Sequence, residues 1–409
     1  MSSAPPQAVI VATARTPIGR AGKGSLVDFR PDDLAAFAIR SALDKVPALD
    51  PTQIDDVYLG CGLPGGESGF NMARVVNVLN GWDGVPGATV NRYCSSSIQT
   101  TRMAFHAIRA GEGEIFISAG VETVSRFAKG TSDHLPNTQN PLFDQAQART
   151  TDLASGGKDW SDPRAVGDLP DVYIAMGHTA ENVARLTGVT REEMDHFGVR
   201  SQNLAEAGIA NGFWAREITP IERTDGTLVT GDDGPRACVT YEAVAQLKPV
   251  FRPDGAITAG NCCPLNDGAA AVVIMSETKA AQLGLTPLAR IVATGVSALS
   301  PEIMGLGPVE ATRRALATAG MSIDDIDLVE INEAFAAQVI PSARELRIDP
   351  DRLNVNGGAI AVGHPFGMTG ARLQCTMLNS LEFHDATTGL ITLCVGGGQG
   401  MALILERLA

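Results

Sequence analysis

Short apolar runs alternate along the chain with stretches whose apolar residues recur at a helical period, a rhythm that predicts strands linked by helices. IVAT at 10–13 reads as a buried strand, DDLAAFAIRSALDKV at 32–46 as a helix with one apolar face, and QIDDVYLG at 53–60 as a second strand. The same order returns later: IVAT at 291–294, the amphipathic PVEATRRALATAG at 308–320, and DIDLVEIN at 325–332. ATVNRYC at 88–94 is echoed by RLNVNGG at 352–358, and EIFISAGVE at 114–122 by GLITLCVGG at 389–397. One such pair arises easily by chance, but four in a shared order predict two related α/β halves. Units of this kind carry their binding loops at the carboxyl ends of the strands, so the segments just after each buried strand are where chemistry is expected.

Between the halves, 126–171 is rich in Ser, Thr, Asp, Asn, Gly and Pro and has little periodicity, as in a long excursion. Thr190 and Glu193 then form a capping box that predicts a helix running to about Asn211, where Gly212 stops it. The apolar run at 269–275 reads as a buried strand closing the first half. The expected division is residues 1–125 completed by 266–288, an inserted loop domain at 126–265, and a second half at 289–409.

Composition narrows the functional classes. The chain has 409 residues, enough for two or three domains, with Lys+Arg 32 against Asp+Glu 46 and a net charge of -14. That field repels phosphate backbones, so no nucleic-acid partner is expected, and an anionic small ligand would need a local cation or a helix N-terminus. No apolar stretch reaches the ~18 residues that span a bilayer, and MSSAPPQ does not begin a signal peptide, so the expected address is cytoplasmic. Seven Cys without a C-x-x-C pair and six His without H-x-x-x-H spacing predict neither a disulfide framework nor a metal site.

Four positions remain as candidate chemistry. Cys94 stands at a strand-to-helix turn, where the helix dipole is expected to pull a thiol below its free pKa of about 8.5. From position alone it fits a nucleophile or a packed thiol. Cys394 ends the strand GLITLCV and enters GGGQG, which fits a tight hairpin or a second thiol brought in from a pseudo-symmetric loop. Two thiols can divide the nucleophile's role from the proton donor's. His364 in NVNGGAIAVGHPFGMTG fits a structural loop or a base for Cys94, and Asn332 after its strand fits a helix cap or a holder of water. The adjacent Cys262 and Cys263 read as packed small residues lining a channel, since a bridge between neighbours is strained.

NRYCSS, TAGNCCPLNDGAAA, INEAFAA, NVNGGAIAVGHPFGMTGAR and LCVGGGQG together resemble the five signature blocks of the thiolases, in order and across nearly the whole chain. The resemblance implies a five-layer αβαβα core of duplicated halves with an inserted loop domain, assembled as a homodimer or homotetramer. It also implies the site. Cys94 would carry the acyl group as a thioester, His364 would activate Cys94 and then coenzyme A, and Cys394 would shuttle the α-proton. Asn332 with His364 would hold a water at the enolate oxygen, and the backbone amides of Cys94 and Gly396 would form a second oxyanion hole. Arg236 would meet the nucleotide end of coenzyme A, with Ala259 and Cys263 beside the pantetheine and Met176, Met304 and Phe335 around the acyl group. Coenzyme A is implied as a co-substrate, with no permanently bound cofactor and no metal.

Three departures from the family pattern stand out. Ser95, Ser96 and Ser97 follow the nucleophile where a small residue, Ser and Gly are usual, so an altered turn is expected. Cys263 replaces a common Ser, and Ala175 replaces a His common in acetoacetyl-CoA-forming enzymes, a change expected to enlarge the pocket. The leading expectation is a 3-ketoacyl-CoA thiolase. The alternatives are acetoacetyl-CoA formation from two acetyl-CoA and, from another class, a non-catalytic acyl-CoA-binding scaffold.

Overall fold

The two rhythms of the sequence become strands and helices in the computed structural model, which describes residues 5–129 and 138–409. The first half runs β1 (Ala8–Arg15), β2 (Gly19–Arg20), α1 (Pro31–Leu43), β3 (Asp56–Cys61), α2 (Met72–Leu79), β4 (Gly87–Val90), α3 (Ser96–Ala110) and β5 (Ile115–Thr123). An excursion follows with α4 (Asp144–Ala154), α5 (Met176–Thr187), α6 (Arg191–Ala210), the short pair β6 (Ile221–Glu222) and β7 (Leu228–Val229), and α7 (Tyr241–Ala245). The expected capping box is present at the start of α6, and its last residue precedes Asn211 and Gly212. Next come β8 (Asn266–Ser276) and α8 (Glu277–Gln282), then β9 (Ala289–Ala298), α9 (Gly307–Ala319), β10 (Leu328–Ile331), α10 (Ala336–Leu346) and α11 (Ala359–Val362). The chain ends with α12 (Phe366–Phe383), β11 (Thr388–Val395) and β12 (Gln399–Arg407).

Strand order is β10-β11-β12-β9-β1-β8-β5-β3-β4, with β2 on β8. The halves meet at β1 and β9, where Val9 pairs with Arg290 and Ile10 with Ala289. Reading outward from that seam, each half has two antiparallel pairings, then parallel neighbours; Leu353 bridges Val329 in parallel, as β4 pairs with β3. The duplication reaches single residues. β1 slips register between Ile10 and Ala12, leaving Val11 as a bulge, and β9 slips between Ile291 and Ala293, leaving Val292. These are the same letter of the two IVAT strings.

The strand pairings also correct two of the sequence echoes. Val57 pairs with Ile117 and Gly87, while Val329 pairs with Leu390 and Leu353. Ile117 is therefore the counterpart of Leu390, and Gly87 of Leu353, each two residues from the alignment read in the sequence. A slip of two keeps every side chain on its face, so apolar alternation alone does not reveal it.

Five layers result. α1 and α2 cover one face of the first sheet, α3 and α12 lie between the sheets, and α9 and α10 cover the far face of the second. Ile98, Phe105, Leu373 and Met377 of the middle helices share a core with Ile10, Ile274, Leu393 and Leu403 of the strands. α12 is buried along 367–381, which only a central helix tolerates. Its glycines permit that depth: a Cβ at Gly370 would lie 2.4 Å from the Ile98 backbone nitrogen.

Candidate active site

The chain leaves β4 and turns sharply at Tyr93, whose φ of 43° is uncommon for a residue with a side chain. Asn91 accepts from the Tyr93 amide at 2.8 Å, and Ser96 Oγ donates to the Tyr93 carbonyl at 2.7 Å while accepting from Arg92 N at 2.9 Å. Cys94 thereby sits at the entry to α3. Ser97 Oγ donates to the Gly367 carbonyl at 2.6 Å and accepts from Ala371 N at 2.8 Å. The serine run, expected to alter the turn, is what fastens the Cys94 turn to α12.

His364 lies just before α12, with its amide donating to Asn266 Oδ1 at 2.9 Å. Its Nδ1 is 2.6 Å from Thr369 Oγ1, and that hydroxyl donates its one proton to the Pro365 carbonyl at 2.7 Å. Thr369 can then only accept from the ring, so Nδ1 carries the hydrogen and Nε2 the lone pair. Burial, with the nearby Arg372 cation, pushes His364 down to about 3, so the ring is neutral near pH 7. Asn332, at the end of β10, brings Nδ2 to 3.3 Å from Nε2.

Cys394 is fully buried at the end of β11, and the hairpin to β12 closes through Gly397 and Gly398 at φ 75° and 78°. Arg92 Nη1 donates to Gln399 Oε1 at 2.8 Å, tying this hairpin to the Cys94 turn. The Cys94 and Cys394 sulfurs feel each other electrostatically, and Cys263 feels both. Two expectations are corrected here. Cys94 is pushed up to about 12, because burial outweighs the Gly396 and Cys94 amides that favour the thiolate. The resting group is a thiol, and a base must take its proton during attack. Secondly, the two thiols are not repeat-related: by strand pairing Cys394 matches Val121 on β5, whereas Cys94 follows β4.

Two cavities flank this cluster. One, of about 250 Å³, is lined by Cys94, Gly396, Met176, Leu63, Ile174 and Phe366 among others. The other, of about 230 Å³, contains all three residues expected along coenzyme A, Arg236, Ala259 and Cys263, and also Arg20. Met304 and Phe335 pack with Cys394 in a buried cluster that Met176 borders. Ala175 is the cap residue just before α5 but does not line the cavity that holds Cys94, where Ile174 and Met176 stand instead. Sequence reading missed Arg20, Thr369 and Gln399. Thr369 and Gln399 lay inside motifs already singled out, five residues from His364 and from Cys394 respectively, while nothing local marks Arg20.

Among the described residues no group of His, Cys, Asp or Glu is arranged to hold a metal ion, and no helix is long and apolar enough to cross a membrane. A buried thiol on an apolar cavity, a second buried thiol electrostatically coupled to it and a neutral imidazole bonded to Asn332 are groups suited to acyl transfer, carried on a duplicated α/β scaffold. Comparison with known proteins carries this to a family. The model of the thiolase N-terminal domain matches residues 8–278, and that of the thiolase C-terminal domain residues 285–407. A 3-ketoacyl-CoA thiolase of Bacillus subtilis is 40% identical, with 98% of this chain and 99% of the relative covered. An acetyl-CoA acetyltransferase of Pseudomonas aeruginosa is 44% identical with the same coverage, 98% and 99%. The crystal structure of human mitochondrial 3-ketoacyl-CoA thiolase in complex with CoA superposes at a TM-score of 0.84 with 34% identity, covering 98% of each chain. The chain belongs to the thiolase family and is an acyltransferase of that family.

Proposed function

We propose that the chain cleaves a 3-oxoacyl-CoA with coenzyme A to acetyl-CoA and a shortened acyl-CoA, as in fatty-acid β-oxidation, and that the reaction is reversible. His364 Nε2 takes the Cys94 proton as Sγ attacks the C3 carbonyl of the substrate. The C2–C3 bond breaks, its electron pair passes to acetyl-CoA as an enolate, and the acyl group stays on Cys94. A water held by Asn332 and His364 stabilises the enolate oxygen, and Cys394 delivers a proton to C2. The proton on His364 then passes to the Cys394 thiolate, which resets both groups. In the second half-reaction His364 takes the proton of an entering coenzyme A thiol, whose sulfur attacks the acyl-Cys94 thioester. The Cys94 and Gly396 amides receive the oxyanion, and the departing Cys94 thiolate recovers the proton from His364.

The observation that supports this reading is a pair of contacts: Asn332 Nδ2 lies 3.3 Å from His364 Nε2, and Cys94, on the apolar cavity with Gly396, acts electrostatically on Cys394. Leu63, Val172, Ile174, Met176 and Phe366 support an acyl chain longer than acetyl. Arg20 and Arg236 support the anionic end of coenzyme A, a local answer to the net charge of -14. Purified protein mixed with coenzyme A and either acetoacetyl-CoA or a longer 3-oxoacyl-CoA should remove the enolate absorbance, the longer substrate at least as fast. Binding without turnover would overturn the reading in favour of a scaffold. The name of the Pseudomonas relative favours a second reading, acetoacetyl-CoA formation from two acetyl-CoA, in which the short substrate is preferred.

The division into 1–125 with 266–288, 126–265 and 289–409 is supported by the strand order. A homodimer or homotetramer is supported by the edge strand β4 beside α2, where Phe70 is 97% exposed and Val75, Val78 and Leu79 face outward. Light scattering on the eluting protein measures that state. The seven unbridged cysteines suit a reducing, cytoplasmic address.

A further inference from the structure

Two arginines are wholly buried between the halves, and they are treated differently. Arg15 is paired with Glu217 at 2.6 Å and Asp232 at 2.8 Å. Arg372 has no carboxylate within ion-pairing distance among the described residues, and its Nε and Nη1 have no hydrogen-bond partner there. Its Nη2 faces Asn332 Oδ1 at 3.5 Å. Arg372 lies on α12 three residues beyond Thr369, the residue that fixes the His364 ring, and so shares its face. Opposite stand Glu330 and Asn332, two residues apart on the β10 side and therefore on one face. Glu330 is itself buried with Oε2 unpartnered, and it and Arg372 act on each other electrostatically.

A carboxamide has an accepting end and a donating end, whereas a guanidinium offers donors alone. Beside Arg372, the Asn332 amide must turn Oδ1 inward, which sends Nδ2 towards His364 at 3.3 Å. With the cation removed, the amide is free to rotate by half a turn and present a carbonyl lone pair to the reacting centre. We propose that Arg372 is a positioning residue for carbon–carbon bond cleavage, holding the Asn332 carboxamide so that its N–H, and not its carbonyl, serves the enolate oxygen. The proposal rests on the role given above to Asn332, and it separates the two half-reactions: acyl transfer through Cys94 does not use that amide.

The test compares, in the full-length enzyme, thiolysis of acetoacetyl-CoA with exchange of labelled coenzyme A into acetyl-CoA, which requires acyl transfer alone. Arg372→Met is made alone and with Glu330→Gln, the double variant avoiding an uncompensated buried carboxylate, and both are checked by thermal unfolding. Thiolysis kcat should fall by about 10-fold or more while exchange stays within about 3-fold and the KM for coenzyme A is unchanged. Arg372→Lys, which keeps donors and charge, should recover much of the loss. Adding Asn332→Ala to the double variant should bring no further loss, as expected for residues acting as one unit. Equal losses in both reactions, or losses that multiply with Asn332→Ala, would overturn the assignment of Arg372. A thiolysis-competent Asn332→Ala enzyme would instead remove the reading of the site, and the proposal with it.

Discussion

The two halves of the molecule place different residues at equivalent strand ends. Asn332 follows β10 and Cys394 lies near the end of β11; their counterparts in the first half are Gly60 on β3 and Val121 on β5. Gly60 is hemmed in by α3, since a Cβ there would lie 2.7 Å from the backbone of Ser96 and Ser97. Val121 is fully buried among the strands and the outer helices. In the first half, then, the strand ends hold α3 in place and the reactive group rides on the turn that begins α3. In the second half the strand ends themselves carry residues proposed to react, Asn332 and Cys394. One scaffold used twice offers two kinds of position, a clamped helix start and an open strand end, and a site with both a nucleophile and a proton donor draws one from each.

Substitutions at the paired positions test this contrast. Cys94→Ala should lower thiolysis by at least about 10⁴-fold with unchanged melting, measured by enolate loss and thermal unfolding. Cys394→Ser should lower carbon–carbon cleavage by about 10²–10³-fold and leave stability alone. Its counterpart Val121→Ala should do the reverse, costing about 2–3 kcal/mol in a urea melt while kcat of the folded enzyme stays within about 3-fold. If Val121→Ala harms turnover as much as Cys394→Ser, the contrast between the halves fails. Gly60→Ala should cost about 1–3 kcal/mol by forcing α3 off β3.

The smallest effect concerns pH. His364 is held down to about 3 in the folded chain, so below its unfolded value near 6.5 the unfolded chain binds the extra proton and stability falls as pH falls. Glu122, at the end of β5, is held up to about 7 by burial, so the folded chain keeps a proton that the unfolded chain releases near 4.5, and stability falls as pH rises through 7. Each slope is on the order of 1 kcal/mol per pH unit. Urea midpoints at pH 5 and pH 7 should therefore shift in opposite directions: His364→Asn should gain at pH 5 relative to pH 7, and Glu122→Gln should gain at pH 7. Shifts of the same sign would contradict both assignments.

Much of this was legible in the sequence, for identifiable reasons. The duplication, the helix at α6 and the strand β8 were readable because periodicity and capping are local properties. As candidates, Cys94 was marked by its strand-to-helix turn, Asn332 and Cys394 by their places at strand ends, and His364 by its flanking glycines. Register was not, since a two-residue slip leaves the apolar pattern intact. The protonation of Cys94 was misread because a helix dipole is visible in sequence and burial is not. Arg20 reaches its cavity through tertiary folding, and Thr369 sets the tautomer through a bond to Pro365 that no spacing rule announces.

The bulges at Val11 and Val292 bear on how the chain tolerates change. Each adds an odd residue to its strand. The ladder resumes across each bulge on consecutive partners, Ile10 on Ile274 with Ala12 on Val273, and Ile291 on Leu405 with Ala293 on Ile404. Deleting one valine would therefore straighten its strand and keep every remaining side chain on its own face, removing only the local bend and added twist that the other copy would retain.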